Sequence, residues 1–212
     1  MRTDDLIKAL GADAKPAPLP QRGAWRLAIG LAVPVAAAVF FVILGPRPDI
    51  AAAMHTARFL FKFVFTLALA GGALAVLYRL SMPGAPARRA APLLLVAPLL
   101  MAAAVALEMA VVPAGDWTTR LVGHNMLVCL ASIPIIGAGP LALFVAALRH
   151  GAPTRPGLAG AVAGLAAGGL AATFYAAHCT DDSPLFVATW YTLAIAALAL
   201  AGAVVSRRLA RW

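Results

Sequence analysis

Charge is scarce in this chain. Only 12% of its 212 residues are Asp, Glu, Lys or Arg, about half the share of a typical soluble domain. Cysteine is rarer still. Cys129 and Cys179 are the only two, far apart and without a C-x-x-C, which excludes a disulfide framework and a zinc-ligand spacing. The chain has no G-x-x-x-x-G-K-[ST], no H-E-x-x-H and no G-x-S-x-G, so it offers no phosphate loop, zinc-protease helix or nucleophile elbow. Its basic residues form small groups without interleaved aromatics, which argues against nucleic-acid binding despite a formal net charge of +9. Charge relays deep in the apolar spans, as pumps use, are also missing. Two histidines near span ends, His124 and His178, are too little to argue for a bis-histidine haem. The first 24 residues are polar and proline-rich rather than apolar, so the first apolar span is expected to act as an uncleaved signal-anchor.

What fills the chain is apolar. Hydrophobic residues make up 63% of it and the mean hydropathy is +0.90. A soluble globule could not cover that much apolar surface, so lipid is the expected solvent. The expected fold class is an all-α integral membrane protein, a bundle of six transmembrane helices behind a short cytoplasmic amphipathic segment. Residues 1–24 form that segment and 25–212 the membrane domain. The spans are predicted at 25–44, 59–78, 92–112, 121–148, 157–177 and 184–205, each long enough for a hydrocarbon core of about 30 Å. The fourth is over-long, and its start is expected several residues later. Pro34, Pro98, Pro134 and Pro140 fall inside spans, where a membrane bundle tolerates them as kinks.

Lys and Arg set the orientation. The N-terminal segment, the second-to-third loop, the fourth-to-fifth loop and the tail together hold Arg2, Lys8, Lys15, Arg22, Arg79, Arg88, Arg89, Arg149, Arg155, Arg207, Arg208 and Arg211. The opposite loops hold only Arg47, Arg58 and Arg120. Both termini are therefore expected in the cytoplasm of a bacterial cell, with the bundle in its inner membrane. Trp25, Trp117, Trp190 and Trp212 lie near predicted interfaces, as in an aromatic belt. In span five, Gly160, Gly164 and Gly168 share one face. They are expected to allow close packing inside the bundle, with dimerisation as the alternative.

The N-terminal segment has its own logic. Thr3 can cap a helix with Asp4 and Asp5 in its first turn, where the helix dipole favours anions. Leu6, Ile7 and Leu10 then share a face, and Gly11 is a stop signal. The stretch from Lys15 to Pro20 cannot continue a helix and reads as an extended spacer. A short amphipathic helix on a stiff arm suits docking into a partner's groove. Leu6, Ile7 and Leu10 would be the anchors, and Asp4, Asp5 and Lys8 would steer the approach.

Ionisable groups near the spans gather toward the outer end. Lys62 and Glu108 lie at matching depth, about one turn inside spans two and three, and are expected to pair because an unpaired charge there is costly; separate snorkelling is the alternative. His124, Cys129, His178, Cys179, Asp181 and Asp182 lie in or beside spans four to six. Cys129, Cys179, His124 and His178 are candidates for a thiol–imidazole cluster open to the periplasm. Such a cluster suits oxidant sensing or transient binding of a soft metal ion, with Cys129, Cys179 and His178 as ligands. Taken singly, a membrane cysteine is more often a small packing residue.

These residues also resemble a known family. The opening Arg2-Thr3-Asp4-Asp5-Leu6-Ile7-Lys8-Ala9-Leu10, the proline-rich arm, the six spans, Cys129 followed by Ser132-Ile133-Pro134, and above all His178-Cys179-Thr180-Asp181-Asp182-Ser183-Pro184-Leu185-Phe186 with Trp190-Tyr191 are similar to the NrsF family. These are proteobacterial membrane proteins that negatively regulate sigma F, an extracytoplasmic-function sigma factor. The resemblance implies a sigma-factor partner on the cytoplasmic face, an embedded or periplasmic part that receives a stress signal, and no enzymatic turnover or permanent cofactor. Homo-oligomerisation stays open. The competing readings are a small inner-membrane transporter and a thiol-redox membrane protein.

Overall fold

The computed structural model describes residues 2–13, 20–82 and 84–209. Lys15 to Leu19 of the proposed spacer, and Arg211 and Trp212 of the tail, lie outside the described residues. The elements are α1 Thr3–Asp13, α2 Gln21–Ile43, α3 Ile50–Ala53, α4 Ala57–Leu80, α5 Leu93–Val111, α6 Trp117–Val122, α7 Met126–Leu148, α8 Pro156–Ala176, α9 Pro184–Phe186 and α10 Thr192–Leu209. A five-residue π-helical turn, Val187–Tyr191, joins α9 to α10. Among the described residues there is no strand, and six helices are long and apolar enough to cross a membrane. The all-α, six-span expectation holds.

The boundaries shift for local reasons. The fourth span begins at Met126 rather than at residue 121, as its excess length suggested. The chain breaks at Gly123, whose φ is +59°. A Cβ there would also lie 2.5 Å from the Phe186 ring and 2.8 Å from the Asp181 carboxyl carbon, so both conformation and space require glycine. The first span begins at Gln21, directly after Pro20. α1 runs through Gly11 to Asp13 instead of stopping at the glycine, and Leu6, Ile7 and Leu10 on it are exposed. Trp25 departs from the aromatic-belt expectation. It is buried between Tyr78 and Phe144, with ring centroids 6.2 and 6.4 Å away.

α8 is the central post, with thirteen buried residues that are almost all glycine and alanine. α10, α4, α7 and α2 pack against it, and α5, packed on α4, completes the bundle. The glycine face of α8 meets α10 of the same chain. A Cβ on Gly160 would fall 2.1 Å from the Gly202 carbonyl oxygen, and one on Gly164 would fall 2.2 Å from the Leu198 oxygen. Here the backbones touch. The packing alternative for this face is the one observed, because no room is left on it for a second copy.

Replacing Gly164 with leucine should therefore wedge α8 away from α10. Overpacking of this kind costs about 1–3 kcal/mol where side chains can move, and more where the obstacle is backbone. The expected outcome is loss of the monodisperse peak in size-exclusion chromatography of detergent-solubilised protein, while Gly71→Ala, which meets nothing within 4 Å, leaves it intact.

Candidate functional site

The polar residues converge on one end of the bundle, around the loop from Ala177 to Ser183 that links α8 to α9. Several different segments hold the polar groups of that loop. The carbonyl of Ala177 accepts from the Arg47 backbone at 3.0 Å. His178 sets its Nδ1 2.9 Å from the Gly45 carbonyl oxygen. That oxygen can only accept, so Nδ1 carries the proton. The carbonyl of Cys179 accepts from Lys62 Nζ at 2.8 Å and from Arg47 at 3.4 Å. One oxygen of Asp181 accepts from the backbones of His124 and Asn125 at 3.0 and 2.8 Å and from the Asn125 side chain at 2.8 Å. It is tied to the start of α7. Asp182 pairs with Lys62 at 2.5 Å and with Arg47 at 3.0 Å, tying the loop to α4 and to the α2–α3 turn.

Ser183 and Glu108 complete the set. Ser183 caps the last span, with Pro184 in the first turn, a position where its missing N–H costs nothing. Glu108, on α5, accepts from the Ser183 hydroxyl at 2.8 Å and from the Leu185 backbone at 3.2 Å. A carboxylate at a helix N-terminus is favourable because exposed N–H groups and the helix dipole meet it there. Arg58 and Arg120 approach the other Glu108 oxygen at 3.5 and 3.4 Å. Every Lys and Arg at this end thus has an acid to meet: Arg47 and Lys62 pair with Asp49 and Asp182, and Arg58 and Arg120 with Glu108. A polar cleft of about 250 Å³ opens above it, between Arg58, Arg120, His124 and Thr180.

Lys62 and Glu108 are therefore not partners. Lys62 is fully buried and Glu108 is 4% exposed, so neither snorkels. Depth was legible in the sequence, but direction around the helix was not. Lys62 faces α8 and its loop, and Glu108 faces the start of α9. The three arginines on the sparse side of the charge count, Arg47, Arg58 and Arg120, are the site residues sequence reasoning missed. Each balances an acid, and the scarcity of acids in the chain was the available signal.

The four-residue thiol–imidazole cluster does not assemble. The His124 side chain is 91% exposed and lies 3.6 Å from Asp181, while His178 is turned to Gly45. Among the described residues no group of three or more His, Cys, Asp or Glu could hold a metal ion, so the metal set of Cys129, Cys179 and His178 is not formed. The cysteines themselves are both free and completely buried. The Cys179 thiol points to the Asp181 carbonyl at 3.7 Å, and burial pushes its pKa up despite the nearby Lys62. Tyr175 and Tyr191 pack beside it with their rings tilted to one another, centroids 5.5 Å apart. The Tyr191 hydroxyl is buried with no hydrogen-bond partner among the described residues. The π-helical turn ends on this residue, and such turns recur at functional sites.

The chain matches the family model described as negative regulator of sigma F over residues 10–212. It is 39% identical to the anti-sigma-F factor NrsF of Caulobacter vibrioides (strain NA1000 / CB15N) and 32% identical to the probable anti-sigma-F factor NrsF of Azospira oryzae (strain ATCC BAA-33 / DSM 13638 / PS). Both matches cover all of this chain and all of the relative. No solved structure matches it.

Removing one member of a buried ion pair leaves the other uncompensated, at about 3–5 kcal/mol. Asp182→Leu and Lys62→Met are each expected to lower the thermal midpoint of the solubilised protein, and the double substitution to regain part of the loss. Additive losses would show that the two do not act as a pair. The loop should also respond to acid. Burial pushes the Asp181 carboxyl up, but hydrogen bonds from Asn125 and His124 outweigh it and hold the pKa below the usual aspartate value. Its contribution is complete above the unfolded pKa, about 3.9, and fades as pH falls through the lower folded value. Asp181→Asn should flatten the acid limb of a stability-versus-pH curve.

Proposed function

The chain belongs to the NrsF family of negative regulators of sigma F, and from that premise we propose that it holds an extracytoplasmic-function sigma factor at the inner membrane and releases it when an oxidant reaches Cys129 and Cys179. The family is an anti-sigma family, which implies a sigma-factor partner and no turnover. The observation that carries the finer reading is the separation of two chemically different ends. At one end, two thiols lie beneath a loop that α4, α5, α7 and the α2–α3 turn all grip. At the other end, Arg22, Arg79, Arg88, Arg89, Arg149 and Arg155 lie in loops or at helix ends, and among the described residues no ion pair includes any of them. An unneutralised basic surface, together with the uncovered apolar face of α1, suits a partner with acidic patches and an apolar groove. In this reading the basic end is cytoplasmic and the thiol end periplasmic, which the arginine count supports.

Two-electron oxidation by a small neutral peroxide would convert a cysteine thiol to a sulfenic acid and release water. The added oxygen needs space and a donor in a packed site. Tyr191 holds an unused hydroxyl there. Any shift of Cys179 moves a carbonyl that carries bonds from Lys62 and Arg47, so the change spreads to the ends of several spans. Release of most of the bound partner requires a bias of several kcal/mol between holding and releasing states, which breaking the buried Lys62–Asp182 pair is large enough to supply. The resting thiols are covered, so the reaction is slow until the loop opens.

The sigma factor should co-purify with the solubilised full-length protein and fail to do so when residues 2–13 are deleted; equal recovery from both would move the interface off α1. Cys129→Ser and Cys179→Ser proteins should still repress a sigma-dependent reporter, yet no longer release it after peroxide. Unchanged induction in both variants would end the cysteine reading while leaving the sigma factor interaction intact. A reporter fused after Trp212 should stay cytoplasmic.

A further inference from the structure

The apolar surface of the bundle carries a groove of about 530 Å³ between α7 and α10. Leu141 and Leu198 form its floor, while Ala138, Ala142 and Ala146 of α7 face Ala197 and Ala201 of α10 across it. The two helices run the same way, from the thiol end to the basic end. Small side chains leave the groove open along their length. At the basic end it stops at Arg149, the residue that follows α7 and lines the mouth. On α10 the helical spacing puts Arg208 in line with Ala201 and Val205, seven and three residues earlier. Both arginines are exposed. Among the described residues neither joins an ion pair, and the bundle has no Asp or Glu anywhere at that end.

We propose that this groove binds an anionic phospholipid, its acyl chain lying between α7 and α10 and its phosphate held by Arg149 and Arg208. Basic pockets between transmembrane helices on the side that carries the positive loops take anionic head groups for this electrostatic reason. A phosphatidylcholine would fill the apolar part equally well but leaves the two guanidiniums without a net counter-charge. A second copy of this chain docking in the same orientation would bring further arginines to the mouth and set like charges together. A water-soluble protein partner cannot reach a groove that lies at the depth of the spans. The charge and the apolar walls together therefore select one occupant.

The test uses the full-length protein, delipidated in detergent and incubated with equal amounts of phosphatidylglycerol and phosphatidylcholine of the same chain length, then observed by native mass spectrometry. The wild type should retain phosphatidylglycerol in preference, by roughly fivefold for each arginine engaged. Arg149→Gln with Arg208→Gln should bring the ratio close to one without changing the melting temperature, since both side chains are exposed. Ala142→Phe, which fills the groove, should lower retention of both lipids. Equal retention of the two lipids by the wild type would overturn the proposal, and so would an unchanged preference in the double arginine variant. Undiminished retention in Ala142→Phe would show that the head group is held elsewhere. A dimer that forms only while the groove is unfilled would assign it to a second copy instead.

Discussion

A buried charge in an apolar medium has to be matched by a partner within reach, and this requirement organises the molecule. Lys62 and Glu108 sit on different helices, inside an assembly whose other interior surfaces are almost wholly apolar. Lys62 finds its counter-charge in the loop from Ala177 to Ser183, while Glu108 meets Arg58 and Arg120 and takes a hydrogen bond from Ser183 of the same loop, which presents carbonyls, carboxylates and a hydroxyl in several directions at once. A short loop thus closes the end of a six-span bundle. The loop keeps its shape because α8 delivers it centrally, and α8 is central because its glycines let α10 lie against its backbone.

Much of this was legible in the sequence. Span number follows from hydropathy and length, and the depth of each polar residue follows from its position within a span. Gly160, Gly164 and Gly168 announced a contact face. What one sequence could not give was azimuth. Two residues at equal depth on adjacent helices look like a pair until the rotation of each helix is known, and Lys62 and Glu108 point to different neighbours. The same limit applied to the cysteines. Spacing placed Cys129 and Cys179 near one end, but burial of both thiols and the outward turn of His124 depend on packing that periodicity does not encode. The role of Arg47, Arg58 and Arg120 was hidden differently: in a count of positive charges they were the minority, although each has a specific acid to meet.

The two ends of the bundle follow opposite rules. One pairs each of its four cations with an acid. The other, α1 apart, carries arginines and no acid, and among the described residues none of those arginines joins an ion pair. A surface of the second kind is available to other molecules, whereas a surface of the first kind resists them. This division supports assigning reception of a signal to the closed end and grip on a partner to the open one, and it explains how so little water-exposed chain can serve a regulator.

The distance along the chain between the buried charges and their partners bears on biosynthesis. Lys62 is 117 residues ahead of Cys179, and Glu108 is 75 ahead of Ser183. Lys62 leaves the ribosome and meets the insertion machinery while Asp182, which neutralises it, is still unmade, whereas Arg58 precedes Glu108 and Arg120 follows it closely. The early spans must be kept in a hydrated or chaperoned setting until the last hairpin arrives, and entry of that hairpin completes the assembly. A chain that terminates before Asp182 is left with the Lys62 ammonium facing lipid, a defect that membrane proteolysis can recognise.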